Sequence, residues 1–505
     1  MADRPNILVL MADQLTARAL PAYGGRVART PHIDRLAADG VVFESFYCNS
    51  PLCAPSRLSF LSGQLPSRIG AYDNAAEFPA EVPTFAHYLR SAGYQTALAG
   101  KMHFCGPDQL HGFEERLTTD IYPADFGWTP DWTRFAERPP WYHTMDSVTQ
   151  AGSCTRTNQV DFDDEVVFAA RQKLFDIARG NDRRPFCLVV SMTHPHDPYV
   201  IPEQYWNRYR DDEIDLPRVC GPDAEQDPHS RRLRHVIGLD LVTPTEAQVR
   251  AARRAYYGAV SYVDDQVGTL VATLKDTRLD ADTVIVVLAD HGDMLGERGL
   301  WYKMSFFEPA CRIPLIVHAP GRFAPRRVAE PASLLDLLPT FAALGVARDA
   351  PEYAAPHGGR SLLAALAGGA APGEVIGEYL GEGAIAPVVM IRRGRYKFVH
   401  SPVDPDQLYD LDADPDERMN LAVHAEHAAR LAEFRDEIGR RWALPQLHQA
   451  VLASQRRRHF VYAALRQGRY RPWDHQPIRD ASRLYIRNDQ ELSDLEAMAR
   501  FPRPG

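Results

Sequence analysis

Residues that bind metal ions or transfer protons follow four short apolar runs of this sequence. In chain order they are Asp13-Gln14, Lys101-Met102-His103, His194-Pro195-His196 and Asp290-His291. One polar residue after an apolar run usually marks only the start of a loop, but four such sites in one chain are poorly explained in that way. Carboxylate, amide and imidazole groups suit a hard or borderline divalent cation. The sequence therefore predicts a site for one such ion, with Ca²⁺ favoured over Mn²⁺. Its predicted ligands are Asp13, Gln14, Asp290 and His291.

Lysine is rare in this chain, so the position of each lysine is informative. Only five occur, and Lys101 and Lys303 both adjoin the predicted sites. A compact ammonium group there would neutralise an anionic substrate. The alternative is that both are ordinary surface residues.

These residues need a scaffold that brings the ends of the apolar runs together. Five runs are short and continuously apolar, as strands buried on both faces of a parallel sheet are. They are residues 7–12, 96–99, 186–192, 284–289 and 313–317, and helical patterns lie between them at 33–38, 85–91, 163–178 and 245–274. The alternation predicts an α/β fold with a mainly parallel central sheet sandwiched by helices. Ligands bind such sheets beyond the carboxyl ends of the strands, where the four sites lie.

The pattern changes near residue 372. Apolar stretches at 387–391 and 396–400, joined by a turn at Arg393-Gly394, predict a hairpin in a smaller antiparallel sheet. Two helical stretches, 424–442 and 446–465, and a polar tail follow. We divide the chain into a catalytic α/β domain (1–371), a small α+β subdomain (372–444) and a C-terminal extension (445–505). The tail has too few apolar residues for a core, so we expect it to pack on the body or on another subunit and to cap the active site.

Composition and charge exclude several classes of protein. The 505 residues are 45% hydrophobic and 24% charged with a formal net charge of −9, so neither nucleic acid nor an anionic membrane is an expected partner. The first apolar run is too short for a signal sequence or a membrane span. Seven scattered cysteines without C-x-x-C pairs favour a reducing cytoplasm. We interpret Arg456-Arg457-Arg458 as a solvated face or a subunit contact.

Cys53 lies at the predicted start of a helix. Pro55 favours the first helical turn, whose free N–H groups and dipole attract an anion. A lone cysteine is otherwise most often a small apolar core residue. The pattern Cys-x-Pro-x-Arg, formed by Cys53, Pro55 and Arg57, resembles the signature of the sulfatase family. In that family the cysteine is converted after translation to formylglycine.

The resemblance to sulfatases extends over essentially the whole chain and implies a mechanism. As formylglycine hydrate, Cys53 would be both the nucleophile and a metal ligand, and the aldehyde would re-form as sulfate leaves. Arg57 and Lys101 would stabilise the modified residue. The other implied roles belong to His103, as the base of the second step, and to His194 and Lys303, which would hold the sulfate and protonate the leaving oxygen. A formylglycine-generating enzyme is an implied partner.

A narrower resemblance, to choline sulfatases, rests on several motifs. They are Gly70-Ala71-Tyr72-Asp73-Asn74, Gly100-Lys101-Met102-His103-Phe104, Asp125-Phe126-Gly127-Trp128 and residues 377–383. This resemblance implies hydrolysis of choline-O-sulfate to choline and sulfate. A quaternary ammonium has no N–H to donate, so its binding needs aromatic faces and nearby negative charge. The candidate pocket residues are Asn74, Phe104, Trp128, His143, Asp146 and, from a neighbouring subunit, Asp494, with Glu378 and Glu382 as further acids.

Two positions depart from the common arylsulfatase pattern. Gln14 stands where a second Asp is usual and His291 where Asn is usual, although both occur in choline sulfatases. The Asp-His pair also resembles phosphonate monoester and phosphodiester hydrolases of the same superfamily, so a phosphorus-ester hydrolase or a broader sulfatase is the alternative. A catalytically silent homologue would need an unmodified Cys53. The family resemblance further implies a homotetramer.

Overall fold

The computed structural model describes residues 4–219, 226–346, 352–478 and 491–502 of the chain. The strands of these residues are β1 (Asn6–Ala12), β2 (Val41–Phe43), β3 (Phe46–Tyr47), β4 (Gln95–Gly100), β5 (Glu115–Arg116), β6 (Gly152–Cys154), β7 (Phe186–Ser191), β8 (Val200–Pro202), β9 (Thr283–Ala289), β10 (Leu315–His318), β11 (Arg326–Val328), β12 (Ala332–Ser333), β13 (Glu374–Tyr379), β14 (Val388–Arg393), β15 (Tyr396–Ser401) and β16 (Asp404–Asp410).

The α-helices of the same residues alternate with these strands. They are α1 (Pro31–Ala38), α2 (Cys53–Ser62), α3 (Pro66–Ile69), α4 (Phe85–Ser91), α5 (Asp146–Thr149), α6 (Asn158–Arg179), α7 (Glu203–Trp206), α8 (Pro228–Val236), α9 (Glu246–Asp276), α10 (Glu308–Cys311), α11 (Leu337–Gly345), α12 (Leu363–Leu366), α13 (Ala428–Arg441), α14 (Leu444–Leu465) and α15 (Leu492–Ala499).

The main sheet has eight strands in the order β11-β2-β10-β9-β1-β7-β4-β5. The strands from β9 to β5 are parallel. Of these, β9, β1, β7 and β4 are almost continuously buried because helices cover both faces. The predicted mainly parallel sheet is confirmed. The fifth predicted strand exists as β10, but it runs antiparallel to both neighbours. An apolar run indicates that a strand is buried, but it does not indicate whether the strand runs parallel or antiparallel to its neighbours.

Two groups of helices enclose this sheet. The helices α1, α6 and α9 form one packed group, and α2, α4 and α11 form the other. The helix α6 begins at Asn158, earlier than the predicted 163, because the hydroxyl of Thr157 accepts the N–H of Val160 and starts the helix in a polar turn. The apolar periodicity used for the prediction begins only after that turn.

The second sheet is antiparallel, with the order β13-β14-β15-β16. The predicted hairpin is present as β14 and β15, and Gly394 takes a left-handed conformation in its turn (φ 56°). The helix α13 covers the sheet, with Phe434 stacked on Phe398 (centroids 5.2 Å apart). The next helix, α14, begins against this sheet with Leu444 and further along contacts Thr129 and Trp132 of a loop outside it. Among the described residues, no helix combines the length and apolar character needed to cross a membrane.

Candidate active site

The carboxyl ends of four neighbouring strands meet at one edge of the main sheet. The strands β9, β1, β7 and β4 are consecutive, with Ala12 paired to Ala289 and Ser191 paired to both Met11 and Gly100. The residues that follow these four strands therefore begin at the same edge of the sheet. The register brings together the four groups of polar residues that the sequence places after its apolar runs.

Cys53 is the first residue of α2 and is buried at this edge. Its Sγ lies 3.2 Å from His291 Nε2 and 3.6 Å from Lys101 Nζ. The helix start is fixed from two sides, since Asn74 Oδ1 accepts the N–H of Ala54 (2.9 Å) and the Ser56 hydroxyl donates to the carbonyl of Asp290 (2.5 Å). The side chain of Cys53 is thus held against the strand ends.

Two buried cations lie beside Cys53. The guanidinium of Arg57 donates to Asp13 Oδ2 (2.7 Å) and Asp290 Oδ2 (2.9 Å), and Lys101 Nζ lies 2.5 Å from Asp13 Oδ2. Burial disfavours the charged form of Lys101, but Asp13 and Cys53 outweigh that effect and raise its pKa above the ordinary value. Burial likewise opposes ionisation of Asp13, and Lys101 and Arg57 reverse the effect and lower its pKa. The groups therefore form a charged, mutually paired cluster.

The cluster also offers donor atoms for a metal ion. One ligand atom from each of Asp13, Cys53, Asp290 and His291 lies within 4.8 Å of the others, and all four residues are buried. Bonds of about 2.0–2.6 Å from a hard cation leave neighbouring ligand atoms roughly 3–4 Å apart, which matches these spacings. His291 Nδ1 is hydrogen-bonded to the carbonyl of Gly292 (3.0 Å), so the lone pair of Nε2 is available on the Cys53 side. The residues fit one divalent cation.

Gln14 joins this cluster to Lys303. The Gln14 Oε1 accepts a hydrogen bond from Lys303 Nζ (2.7 Å), and its Nε2 donates to Asp293 (2.7 Å). Lys303 Nζ also lies 2.8 Å from His196 Nε2. A carbonyl oxygen has two lone pairs, so Gln14 Oε1 can accept from Lys303 and still reach an ion. Gln14 stays a predicted ligand.

Two of the predicted catalytic histidines have ring nitrogens without a hydrogen-bond partner among the described residues. Neither ring nitrogen of buried His103 has a hydrogen-bond partner there, and Asp120 fixes its backbone by accepting the N–H groups of Met102 and His103 (2.9 Å each). His194 Nδ1 lies 2.7 Å from Asp163 Oδ2, which leaves its Nε2 unpartnered. The ring of His103 lies beside Trp128, whereas the ring of His194 packs against Tyr262 of α9 (4.9 Å), away from Lys303, whose histidine neighbour is His196.

Aromatic rings line one side of the site. The ring of Tyr122 lies 4.2 Å from Lys101 Nζ and 5.0 Å from the ring of Trp128. Trp128 also lies 5.8 Å from His103 and is stacked on Trp141 at 6.0 Å. We call Tyr122, Trp128 and Trp141 the aromatic wall. It gives the charged cluster an apolar neighbour.

Comparisons with known proteins place the chain in a family. The sulfatase family model matches residues 5–345. The chain belongs to the sulfatase family. It is therefore a sulfuric ester hydrolase, and the predicted family and fold are confirmed. A choline-sulfatase from Rhizobium meliloti (strain 1021) is 50% identical over 99% of both chains.

Further matches of this sulfatase concern its C-terminal part and its fold. Residues 449–501 match a model described as choline sulfatase enzyme C terminal. A phosphonate monoester hydrolase from Silicibacter pomeroyi is 25% identical, with a TM-score of 0.69 over 86% of this chain and 95% of its own. A phosphonate monoester hydrolase of Agrobacterium radiobacter shares the fold, at 24% identity and a TM-score of 0.68 over 88% and 96% of the chains.

The matched C-terminal segment of the sulfatase contacts the loop that carries Trp128. In α14, Gln455 accepts the N–H of Trp132 (3.0 Å) and Arg458 donates to the Thr129 hydroxyl (3.2 Å). Arg458 is itself buried and forms a bidentate pair with Asp73, at 2.6 Å to both oxygens. The solvated-face interpretation therefore fails for Arg458, while Arg456 and Arg457 are exposed.

The predicted pocket residues are distributed unevenly around the sulfatase site. Asn74 anchors α2, and His143 stacks on Tyr302 (4.4 Å) with its Nδ1 3.0 Å from Asp197. Phe104 packs on Phe78 and His111, with centroids 6.2 and 4.4 Å apart. Asp146 begins α5 and Asp494 lies in α15, both exposed in a single chain.

The sequence analysis missed several residues of the sulfatase site. They are Tyr122, Asp163, Asp120 and Asp293. His196 was named after an apolar run, but no role was assigned to it. Asp163 carried a usable signal, because it interrupts the apolar stripe of α6 that Val166 and Val167 continue. Tyr122 and Asp120 lie in an irregular loop, where no periodicity marks a buried residue.

Proposed function

We propose that this sulfatase hydrolyses choline-O-sulfate to choline and inorganic sulfate. The observation that carries the proposal is the packing of α14, part of the segment matched to choline sulfatases, on the loop of Trp128 beside the buried cluster. The 50% identity to a choline-sulfatase over 99% of the chain supports the same substrate. The C-terminal extension shapes the aromatic wall next to the nucleophile, and this contact gives a reason for the extension to be part of a choline sulfatase.

Cys53 acts as formylglycine, produced by a formylglycine-generating enzyme. Its hydrated aldehyde supplies the hydroxyl that attacks sulfur and a second hydroxyl that later expels sulfate. Arg57 and Lys101 hold the modified side chain by charge at the positions where they contact Asp13 and Cys53. Asp13, Gln14, Asp290, His291 and modified Cys53 would hold one divalent cation, Ca²⁺ before Mn²⁺, which would polarise the sulfate oxygens.

Proton transfers fall to residues on either side of the cluster. Lys303 and His194 hold the sulfate and deliver a proton to the leaving oxygen, because an aliphatic alkoxide is a poor leaving group. His103 accepts the proton released when the second hydroxyl expels sulfate. Its two unpartnered nitrogens are consistent with this role.

The choline head binds against the aromatic wall. Trp128 offers a π face, and Asn74, Phe104, His143 and Asp146 complete the pocket from the same chain. Asp494 reaches the pocket from a neighbouring subunit of a homotetramer. We further propose the division into residues 1–371, 372–444 and 445–505, and a location in the cytoplasm.

Sulfate release from choline-O-sulfate and from an aryl sulfate, measured side by side, tests the function. Peptide mass spectrometry first establishes the state of Cys53. A strong preference for the choline ester supports the proposal. Preference for the aryl ester keeps the sulfatase chemistry and overturns the substrate. No release despite a modified Cys53 overturns the proposed reaction.

A phosphorus-ester hydrolase is the second candidate. The observation that favours it is the likeness to a phosphonate monoester hydrolase over 86% of the chain. Turnover of a phosphonate monoester relative to choline-O-sulfate by the same preparation separates the two functions. Higher kcat/KM for the phosphonate favours the alternative.

A further inference from the structure

The side chain of Gln14 is held at both ends of its amide group. Its Oε1 accepts a hydrogen bond from Lys303 Nζ (2.7 Å), and its Nε2 donates to Asp293 Oδ2 (2.7 Å) and, at 3.3 Å, to Asp197 Oδ1. An amide has a donor end and an acceptor end, so a cation on one side and carboxylates on the other permit a single orientation. In that orientation the oxygen, rather than the NH₂ group, points away from the two carboxylates.

The backbone of Gln14 is fixed as well. It takes a left-handed conformation (φ 63°), which is uncommon for a residue with a side chain. The N–H of Gln14 donates to Asp290 Oδ1 (3.0 Å), and its carbonyl accepts the hydroxyl of Tyr256 (2.7 Å). Strained backbone of this kind persists where the surroundings hold it, and it concentrates at functional sites. The amide of Gln14 therefore has one position as well as one orientation.

Asp293 is a fully buried acceptor whose other contacts keep it in place. The hydroxyl of Tyr199 donates to its Oδ2 (2.8 Å), and the N–H of Leu295 donates to its Oδ1 (2.8 Å). The preceding residue, Gly292, packs so closely that a Cβ there would lie 2.1 Å from the carbonyl oxygen of Pro309. Asp293 is thus held by residues outside the predicted catalytic and metal-binding set.

A carboxylate at position 14 would meet no donor on this side. Replacing the amide of Gln14 by a carboxylate of the same length would set two acceptors face to face across the 2.7 Å that now separates Nε2 from Asp293 Oδ2. Like charges without a donor between them make such a contact unfavourable. Asp197 offers no relief, because it is itself an acceptor, already engaged by His143 Nδ1 (3.0 Å) and the Ser147 hydroxyl (3.2 Å). The two acids give a physical reason for the amide at a position where a second Asp is usual.

We propose that Asp293 is a positioning residue that fixes the orientation of the Gln14 amide and so presents the amide oxygen to the metal site. This inference rests on the proposed metal site and adds to it a residue that touches neither the ion nor the substrate. It also couples two positions of the chain, since an amide at position 14 requires a carboxylate at position 293.

Calcium binding to the metal-free protein, measured by isothermal titration calorimetry, tests the inference independently of activity. Partners that orient a metal ligand typically change metal affinity by about 10–100-fold when they are altered. Gln14→Glu should therefore raise the Kd for Ca²⁺ at least about tenfold, although it adds a negative charge to the site. Asp293→Asn should also raise the Kd, because an amide cannot accept hydrogen bonds at both of its ends.

The double variant Gln14→Glu/Asp293→Asn exchanges the two polar groups without changing the length of either side chain. The amide at position 293 can then donate to the carboxylate at position 14, so the pair is restored in reverse. The Kd for Ca²⁺ should return to within about threefold of the wild-type value, which independent effects of the two substitutions would not produce. Losses that simply add in the double variant, or a Gln14→Glu protein that binds Ca²⁺ as tightly as the wild type, overturn the inference.

Tyr199→Phe is the matched control, since it removes the other donor to Asp293 Oδ2 and leaves Gln14 in place. It should lower the melting temperature and leave the Kd for Ca²⁺ within about twofold of the wild-type value. An equally large rise of the Kd in this control would overturn the specific role of the contact with Gln14. A wild-type protein that binds no divalent cation would overturn the proposed metal site itself.

Discussion

Asp13 divides its two oxygens between two kinds of partner. Arg57 and Lys101 contact Oδ2, while Oδ1 lies 4.0 Å from Cys53 Sγ and 3.9 Å from His291 Nε2. The cations fix the carboxylate in place and keep it charged, so Oδ1 faces the other donor atoms in a defined orientation. Asp13 can therefore pair with Arg57 and Lys101 through Oδ2 and still offer Oδ1 to a metal ion.

Removal of the divalent metal should therefore affect both activity and stability. Prolonged chelation should abolish sulfate release and lower the melting temperature. An ion present at a free concentration of about 100 times its Kd adds about 2.7 kcal/mol to the free energy of unfolding. Back-titration with Ca²⁺ should restore both, and more effectively than Mn²⁺. Thermal unfolding by calorimetry and sulfate release measure the two effects. Unchanged activity after verified metal removal would contradict the proposed site.

Lys303 offers a prediction about the leaving group. If Lys303 protonates the departing oxygen, Lys303→Met should lower kcat/KM for choline-O-sulfate by about 10²–10⁴-fold. An aryl sulfate with a stable phenolate leaving group should lose much less. Lys275, an exposed lysine at the end of α9, provides the control as Lys275→Met. Equal losses on both esters would assign Lys303 to sulfate binding alone.

At the scale of elements, α14 supports the aromatic wall through one ion pair. Arg458→Met would leave buried Asp73 without a counter-ion, which costs about 3–5 kcal/mol in comparable cases. We expect a lower melting temperature and a higher KM for choline-O-sulfate, since Asn74 and Thr129 lose their support. Arg457→Met, at the exposed neighbouring position, should change neither quantity. The same KM in both variants would separate α14 from the pocket.

The turn after β12 contains a carboxylate that makes stability depend on pH. Asp336 accepts the N–H groups of Ser333 (2.8 Å) and Arg360 (2.7 Å), and burial raises its pKa from 3.8 to about 6. The unfolded chain therefore ionises first as the pH rises. The contribution of Asp336 is most favourable below about pH 4, and about 2–3 kcal/mol of it is lost by about pH 6.

Asp336→Asn should remove this slope. The lost hydrogen bond lowers stability by about 1 kcal/mol at every pH, which is less than the wild type loses between pH 4 and 6.5, so the variant should melt below the wild type at pH 4 and above it at pH 6.5. Thermal unfolding across this range, with exposed Glu433→Gln as the control, measures the difference. Parallel curves would contradict the expected ionisation.

For these elements, the sequence predicted what local pattern determines. The buried strands, the long helices and the hairpin follow from periodicity and turn residues, and strand-end chemistry located the cluster around Asp13. The direction of β10 could not be predicted, because antiparallel pairing depends on a distant strand. The burial of Arg458 could not be predicted either, because its partner Asp73 lies 385 residues away.

At the scale of the whole molecule, the C-terminal extension leaves apolar groups uncovered in the single chain. Phe460 and Leu465 of α14 and Leu492 and Met498 of α15 are exposed, by 76%, 39%, 48% and 52%. Exposed apolar groups on the same extension favour contact between subunits. This agrees with the proposed homotetramer and with Asp494 acting from a neighbouring subunit.

Size-exclusion chromatography with light scattering should therefore report a tetramer, and Phe460→Glu should shift it to smaller species. The substitution places a charge in a contact that would be apolar. It leaves the pair between Arg458 and Asp73 in place, so the aromatic wall should survive.

The activity of the dissociated protein tests the role of Asp494. If Asp494 completes the pocket across the interface, the dissociated protein should show a higher KM for choline-O-sulfate and retain its aryl-sulfate turnover. Asp494→Asn in the intact tetramer should reproduce that KM increase without dissociation. A monomeric wild type, or a dissociated variant with unchanged KM, would confine the pocket to one chain.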